Sequence, residues 1–321
     1  MITRTSKLLL VLLTLLTSLT ASVADSAKEK LAAGRIDEAI AELNGRLAFA
    51  PADAESSNLL CRAYFALEEW DRAESACRKA VSLAPDNSRF HLWLGRVYGE
   101  KADRANFMAA AGLAGKVRGE FERAVQLNPK DVEARLDLAE FYVDAPGIIG
   151  GGEQKAREQA QVIRTLDSGR EHWIYARIAE KKKDFATAER EYHEYIELSK
   201  GDAEAWLNLA LFFRHQKRFD EMEQAIVKLS QAPNPEPDVL WEASAMLERA
   251  GRSYPLATEL VNRYFASGPV EKAPAFRAHY LRGSLLEKQG DKAGAAREYR
   301  ASLSLARNFG VAQQALNRVA P

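Results

Sequence analysis

Apolar and small residues recur along this chain at the spacing of one helix face. One segment begins its pattern at Ala39 and ends at Pro51, and the next begins at Ala73 and ends at Pro85. In both segments an apolar residue follows the alanine after four positions, which places the two side chains on the same side of a helix. Proline disfavours continuation of such a helix. We therefore predict two amphipathic helices, each ended by a proline and offset by about 34 residues.

The same pattern continues through the rest of the chain. The positions that match the first alanine are Ala124, Ala188, Met222, Ala257 and Ala295. A second kind of helix precedes each of these, with a large residue, a small residue and then an aromatic residue on one face. The aromatic positions are Tyr64, Tyr98, Tyr142 and Phe213. Because a small residue lets a paired helix approach closely, we predict a series of helical hairpins.

A hairpin of about 34 residues with this pattern resembles the tetratricopeptide repeat (TPR) family. About eight copies cover residues 25–305. The resemblance implies an all-α fold, a right-handed superhelical TPR solenoid that binds a protein or peptide partner in its concave groove. Residues 306–321 are predicted to form a C-terminal capping helix over the apolar face of the last repeat.

Two copies depart from the regular spacing. The interval from Pro85 to Pro129 is about ten residues too long, and its alanine-rich insertion favours longer helices over a loop. The next copy carries a glycine-rich loop from Pro146 to Gly152, followed by Lys155. Such a loop can bind phosphate through its backbone amides. It lacks the Gly-Lys-Ser/Thr spacing of a phosphate-binding P-loop, so we favour a tight turn packed against the insertion.

The N-terminus has the features of an export signal. Arg4 and Lys7 precede an apolar stretch from Leu8 to Leu19, and small residues lead up to Ala24. The stretch is short for a membrane span. We predict a signal peptide over residues 1–24 that is cleaved after Ala24, with a retained anchor as the alternative. The protein would then be exported, to the periplasm of a Gram-negative bacterium or otherwise to the exterior.

Composition argues against several other functions. Lys and Arg number 45 and so do Asp and Glu, and this zero net charge argues against a nucleic-acid partner. The five histidines show no zinc-binding spacing and no hydrolase motif is present. We predict no enzyme activity, no cofactor, no metal and no membrane insertion after signal cleavage. Cys61 and Cys77 face the interior of one predicted hairpin and are either bridged or free buried thiols.

The resemblance also suggests which residues face the groove, because in TPR proteins the residue after the small one points inward. Those positions are Arg62, Arg96, Glu140, Arg177, Leu211, Met246 and Ser284. The same surface is predicted to include Arg170, Trp173, Asn208 and Arg214. Guanidinium groups bind carboxylates through two parallel hydrogen bonds. Alternatively, these arginines pair with acids of the chain itself. The Lys and Asn carboxylate clamp of chaperone-binding TPR proteins is not present, apart from Asn208.

These features favour an exported scaffold that binds a protein or peptide, with cell-envelope assembly or secretion as a possible setting. Two alternatives remain open. One is a solenoid that binds a small anionic or glycan ligand, and the other is an accessory subunit of an envelope enzyme.

Overall fold

The computed structural model describes residues 26–320, and within that range the chain is built of helices and turns without a strand. The predicted signal peptide, residues 1–24, lies outside the described residues. Helix α1 covers residues 26–32. The helices that follow are α2 (Ile36–Phe49), α3 (Ala54–Ala66), α4 (Trp70–Leu83), α5 (Ser88–Asp103), α6 (Phe107–Leu127), α7 (Val132–Asp144), α8 (Glu153–Leu166), α9 (Arg170–Lys181), α10 (Phe185–Leu198), α11 (Ala203–His215), α12 (Phe219–Gln231), α13 (Pro237–Ala250), α14 (Tyr254–Ser267), α15 (Ala275–Lys288), α16 (Lys292–Leu305) and α17 (Gly310–Val319). Over these residues, none of the helices combines the length and apolarity that crossing a membrane requires.

Short polar side chains start several of the odd-numbered helices. Asp53, Asn87, Asp131 and Asp202 each accept a hydrogen bond from a backbone amide in the first turn of the helix that follows. Such caps satisfy amides that have no partner inside the helix. The helix starts are therefore fixed by local sequence.

Each odd-numbered helix from α3 to α15 packs against the even-numbered helix after it, which confirms the predicted all-α hairpin architecture. The contact is close where the sequence has glycine. A Cβ atom added at Gly95 would lie 2.5 Å from the ring of Phe121, and one added at Gly283 would lie 2.6 Å from the ring of Tyr299. The repeated positions on the second helices are fully buried: Ala39, Ala73, Ala124, Ala188, Met222, Ala257 and Ala295.

The insertion in the third hairpin lengthens its helices, as predicted. Helix α5 has 16 residues and α6 has 21, whereas most other helices have 13 or 14. The glycine-rich loop packs against α6: Gly150 has φ +97°, and the Arg118 guanidinium of α6 occupies the space that a Cβ atom would need.

The loop's own amides are already used. Those of Gly150, Gly151 and Gly152 donate to carbonyls of residues 147, 146 and 142, and Lys155 Nζ donates to the Gly150 carbonyl at 3.0 Å. No amide of these three glycines is left to hold a phosphate.

The predicted inward register fails in the seventh hairpin. Met246 is fully buried in the core. The small residue that meets the second helix there is Ser244, whose hydroxyl donates to the Ala257 carbonyl at 2.7 Å. Because Ser244 takes the small position that the sequence pattern assigned to Ala245, Met246 turns into the core instead of the groove.

The two cysteines are joined. Cys61 of α3 and Cys77 of α4 form a disulfide with a Cα–Cα distance of 5.1 Å, and both residues are fully buried. The bridge connects the two helices of one hairpin.

The first and last hairpins meet, so the array closes on itself. Phe276 and Phe309 belong to the same apolar core as Leu31 and Ile36. Arg277 Nη2 donates to the Ala66 carbonyl at 2.9 Å across 211 residues of sequence. The backbone amide of Arg307 donates to Asp37 at 2.9 Å. Helix α17 packs on α16, and the segment that leads into it also covers the N-terminal hairpin. The inner faces of the odd-numbered helices therefore surround a common space.

Candidate functional site: the central cavity

A cavity of about 1090 Å³ lies inside the closed array. Every odd-numbered helix from α3 to α13 contributes at least one residue to its wall, and residues 270–272 before α15 complete it. The cavity lies toward the starts of these helices, since the capping residues Asn87, Asp131 and Asp202 are part of its lining. Its volume lies at the upper limit of small-molecule pockets, which commonly measure 300–1,000 Å³.

Trp93 lies on the cavity wall between two arginines. The guanidinium carbon of Arg62 is 5.4 Å from the ring centroid of Trp93, and that of Arg96 is 5.1 Å from it. Both distances allow a cation–π interaction. Arginine and tryptophan on successive first helices thus form one continuous rigid surface.

Three of the four arginines that line the cavity, Arg62, Arg96 and Arg170, have a carboxylate partner within the chain, whereas the exposed Arg89 has none among the described residues. Arg62 Nε donates to Glu271 at 2.6 Å, and its Nη2 binds the second oxygen of the same carboxylate. Arg96 Nε donates to Asp137 at 2.6 Å. A two-point guanidinium–carboxylate pair is strong and fixes orientation. An incoming carboxylate would have to displace these partners.

The remaining arginine contacts follow the same rule. Arg170 pairs with Glu204 and, at 3.1 Å, with Asp167. Glu133 is contacted by Lys272 at 2.8 Å. Burial pushes the pKa of Glu133 upward, but the hydrogen bond from Lys272 and the charges of Arg96 and Lys272 outweigh it and leave the pKa below its usual value.

At Glu204, by contrast, burial has the largest effect on the pKa. It raises the pKa of the Glu204 carboxyl, the neighbouring carboxylates of Asp202 and Asp238 raise it further, and Arg170 opposes the change. Negative charge exceeds positive charge on that wall of the cavity, where the lining carboxylates are Asp202, Glu204, Glu236, Asp238 and Glu242.

Two hydrogen-bond donors on the wall have no partner among residues 26–320. They are Nη1 of Arg62 and Nε1 of Trp241, and both atoms are buried. A buried donor without a partner is unfavourable by about 1–3 kcal/mol relative to a satisfied one. The two buried donors and the exposed guanidinium of Arg89 are polar groups of the cavity lining that the described residues leave without a partner.

The structure separates the predicted groove residues into groups. Arg62, Arg96 and Arg170 line the central cavity together. Glu140 lies with Arg96 on a neighbouring groove, and Arg177 pairs with Glu140 and Asp144.

Three further predicted residues, Trp173, Asn208 and Arg214, have different surroundings. Trp173 is half-buried between the two large cores, and Asn208 Nδ2 donates to the carbonyl of Glu204 in its own helix. Arg214 is half-buried and lies beside His215. Among the described residues these three do not line the central cavity.

Sequence reasoning missed the residues that come from outside the first helices. Glu271 and Lys272 follow α14 and reach the cavity because the array closes. It also missed Trp93 and Trp241, which line the cavity although they were not predicted among the groove residues. Trp93 lies one helical turn before the predicted inward residue Arg96, and this spacing was the available signal.

Comparison with known proteins agrees with this architecture. Sequence models of the tetratricopeptide repeat match residues 30–94, 176–233 and 242–309, which together exceed half of the chain. No curated protein matches the chain.

Several solved structures are similar to it. Yeast Tom70 is 15% identical with a TM-score of 0.51, over 88% of this chain and 58% of that one. A tetratricopeptide repeat protein from Parabacteroides merdae is 15% identical with a TM-score of 0.46, over 94% and 98%. A thermophilic TPR protein from Thermus thermophilus is 17% identical with a TM-score of 0.49, over 60% and 98%. At these identities the likeness concerns the fold alone. The sequence matches over more than half of the chain show that it belongs to the tetratricopeptide repeat family.

Proposed function

We propose that this protein is an exported scaffold that binds an extended segment of a protein partner in its central cavity. The observation that carries the proposal is the pair of unpartnered donors, Arg62 Nη1 and Trp241 Nε1, on a wall that also holds the flat ring of Trp93. An extended peptide presents carbonyl oxygens along its backbone, and these would accept from the two donors once the Arg62 and Trp241 side chains turn toward the cavity, since both donor atoms are buried in the wall. The tryptophan rings offer apolar area for its side chains.

The ion pairs of the cavity weigh against a small anionic ligand. Arg62, Arg96 and Arg170 already contact carboxylates, so an anion would have to displace one of these partners to bind there. Arg89 has no such partner, but the lining as a whole holds eight carboxylates and five basic residues and therefore repels an anion. A backbone carbonyl needs no such exchange. Peptide binding would therefore require a side-chain movement but would not require displacement of a carboxylate.

Crosslinking from inside the cavity tests the proposal. A photoreactive phenylalanine analogue would replace Arg89, an exposed residue of the cavity lining, and in a second protein would replace Glu194, an exposed residue of α10 that does not line it. After irradiation with an envelope fraction of the source cell, we expect a protein adduct from position 89 that is weak or absent from position 194. Adducts of equal yield from both positions would contradict the proposal.

A conservative substitution then tests the donor. Trp241→Phe keeps an aromatic ring and removes Nε1–H, so we expect it to reduce the adduct from position 89. Trp206→Phe makes the same change at a half-buried tryptophan outside the cavity lining and serves as the control. An unchanged adduct in Trp241→Phe would show that this donor is not used.

Export and an envelope role belong to the same proposal and rest on residues 1–24 and on family likeness. N-terminal sequencing of the protein recovered from the source cell is expected to begin at Asp25. A start at Met1 in a cytoplasmic fraction would overturn the export proposal and leave the binding proposal standing.

A further inference from the structure

A second surface, separate from the central cavity except for Arg96, lies beside the extended part of α6. It is a groove of about 720 Å³ between α6, the ends of α5 and α7, and the glycine-rich loop. We call it the α6 groove, and define it by Phe107, Ala110, Ala114, Phe141 and Ile148. Phe107 is 86% exposed and Ile148 is 95% exposed, so two large apolar side chains stand in solvent at its edge.

The apolar residues of α6 follow the spacing of a helix-packing face. Phe107, Ala110, Ala111 and Ala114 line the groove at positions i, i+3, i+4 and i+7. In a globular protein such a stripe faces another helix. Within residues 26–320 the groove instead forms an open pocket along it. The alanines leave room for a further helix to approach at the usual interaxial distance of 8–10 Å.

Carboxylates outnumber basic residues along the groove. Glu100, Asp103, Asp137, Glu140 and Asp144 line it, and Arg96 is the one basic residue of the lining. Four of these carboxylates are paired, with Arg96, Arg104 or Arg177. Asp103 has no ion-pair partner among the described residues. The C-terminal ends of α5 and α7 also lie here, at Asp103 and Asp144, and helix C-termini carry partial negative charge.

The surroundings of Glu140 support this picture. Burial raises the pKa of its carboxyl, Arg177 opposes that change, and the neighbouring carboxylates Asp144, Asp137 and Asp103 raise it again. Negative charge is therefore crowded at this edge in spite of Arg177.

We propose that the α6 groove binds a basic amphipathic helix of a partner protein, with the apolar face of that helix on the α6 stripe and its Lys or Arg residues against the acidic edge. Apolar contact supplies the affinity and charge selects the partner. An anionic membrane surface fits the exposed Phe107 and Ile148 but not the five carboxylates beside them, so the charge pattern favours the helix.

The test uses the full chain and designed peptides. A fluorescein-labelled amphipathic peptide of about four helical turns, made of leucine and lysine, is compared by fluorescence anisotropy with a peptide in which glutamate replaces every lysine. We expect saturable binding of the leucine–lysine peptide, weakened at about 0.5 M salt, and much weaker binding of its acidic counterpart. Equal binding of the two peptides, or no binding of the basic one, would overturn the proposal.

Matched variants locate the binding. The double variant Phe107→Ser with Ile148→Ser is expected to raise the dissociation constant of the basic peptide about tenfold or more. Phe49→Ser with Val311→Ser removes two exposed apolar residues that do not line the groove, and is expected to leave binding unchanged. Equal effects of the two double variants would place the peptide elsewhere and overturn the proposal.

A charge variant and vesicles complete the experiment. Asp103→Asn is expected to weaken binding of the basic peptide and to reduce the salt dependence of that binding, because Asp103 is the unpaired carboxylate of the groove. All these positions are on the surface, and an unchanged helical circular dichroism spectrum verifies folding. Phosphatidylglycerol vesicles are tested in parallel: binding of vesicles that depends on Phe107 and Ile148, without binding of the basic peptide, would replace the helix with a membrane as the occupant.

Discussion

Gly95 has no room for a side chain, because the ring of Phe121 lies where its Cβ atom would be. We expect Gly95→Leu to lower the free energy of unfolding by about 1–3 kcal/mol, the usual effect of overpacking a core. Chemical denaturation followed by circular dichroism measures the change.

Gly99 provides the control one helical turn away. It lies in the same helix, and a Cβ atom there meets nothing within 4 Å. Gly99→Leu is expected to be neutral or to stabilise by up to about 1 kcal/mol, since leucine favours helix over glycine. If both variants unfolded at the same denaturant concentration, the close packing of α5 on α6 at Gly95 would be excluded.

His91 gives the protein a pH-dependent stability. Its Nδ1 lies 2.6 Å from Glu120 Oε2 and its Nε2 lies 2.8 Å from the Pro85 carbonyl oxygen. Both partners accept hydrogen bonds, so both ring nitrogens must donate, and only the protonated ring can do so. The hydrogen bond to Glu120 accordingly raises the pKa of His91, against the opposing effect of burial.

A raised pKa in the folded state stabilises the protein at low pH. The contribution is complete below the pKa of an unfolded histidine, about 6.5, and is lost as pH rises through the higher folded-state pKa. We expect the melting temperature of the natural protein to fall between about pH 6 and about pH 8 by more than that of His91→Gln. His193→Gln changes an exposed histidine of α10 and is expected to keep the natural slope. A slope that His91→Gln leaves unchanged would assign the pH dependence to another group.

Single residues were predictable to the extent that they depend on local spacing. Arg62 and Arg96 take the inward positions that the sequence predicts, since one helix turn fixes the direction of a side chain. Their partners differ in this respect. Asp137 lies on the next first helix, whereas Glu271 is 209 residues from Arg62 and meets it only through closure of the array.

At the scale of elements, the disulfide joins α3 to α4 and closes a loop of 16 residues. In the chain-entropy description a loop of this size stabilises the folded state by about 3 kcal/mol. We expect reduction to lower the free energy of unfolding by about 2–4 kcal/mol. Denaturation with and without reductant measures this difference.

The control is a protein without the bridge. Cys61→Ala with Cys77→Ala should resemble the reduced protein and should not respond to reductant. Thiol counting of the unfolded, unreduced protein is expected to find none, and two free thiols per chain would exclude the bridge.

Elements were predicted best where composition alone decides them. Alanine-rich sequence predicted the long α6, and glycine predicted the tight loop before α8. The α6 groove between them was not predictable in the same way. It forms because Arg118 of α6 meets the loop at Gly150, a contact across 32 residues that no local pattern encodes.

At the scale of the whole molecule, the feature that sequence could not supply is closure. Each hairpin adds a small rotation to its neighbour, and the sum of these rotations decides whether the two ends meet. A repeat pattern fixes the hairpin but leaves this sum undetermined. The cavity wall depends on it, because Glu271 and Lys272 reach the first helices only in the closed array.

Gly34 allows closure to be tested directly. It lies between α1 and α2 with φ +69°, and a Cβ atom there would lie 2.3 Å from the backbone nitrogen of Ala275, at the start of α15. We expect Gly34→Leu to force the two ends apart, so that the radius of gyration and the largest dimension measured by small-angle X-ray scattering both increase. Local strain at the positive φ destabilises the turn but does not by itself enlarge the molecule, so scattering separates the two effects. Gly45→Leu, in α2 with nothing within 4 Å, should leave both dimensions unchanged.

Arg277→Glu tests closure through a different contact between the two ends. It removes the donor to the Ala66 carbonyl and places a carboxylate beside Glu68. We expect it to expand the molecule without altering any glycine. If Gly34→Leu and Arg277→Glu both scattered like the natural protein, the ends would not be held by these contacts, and the cavity would be an open groove.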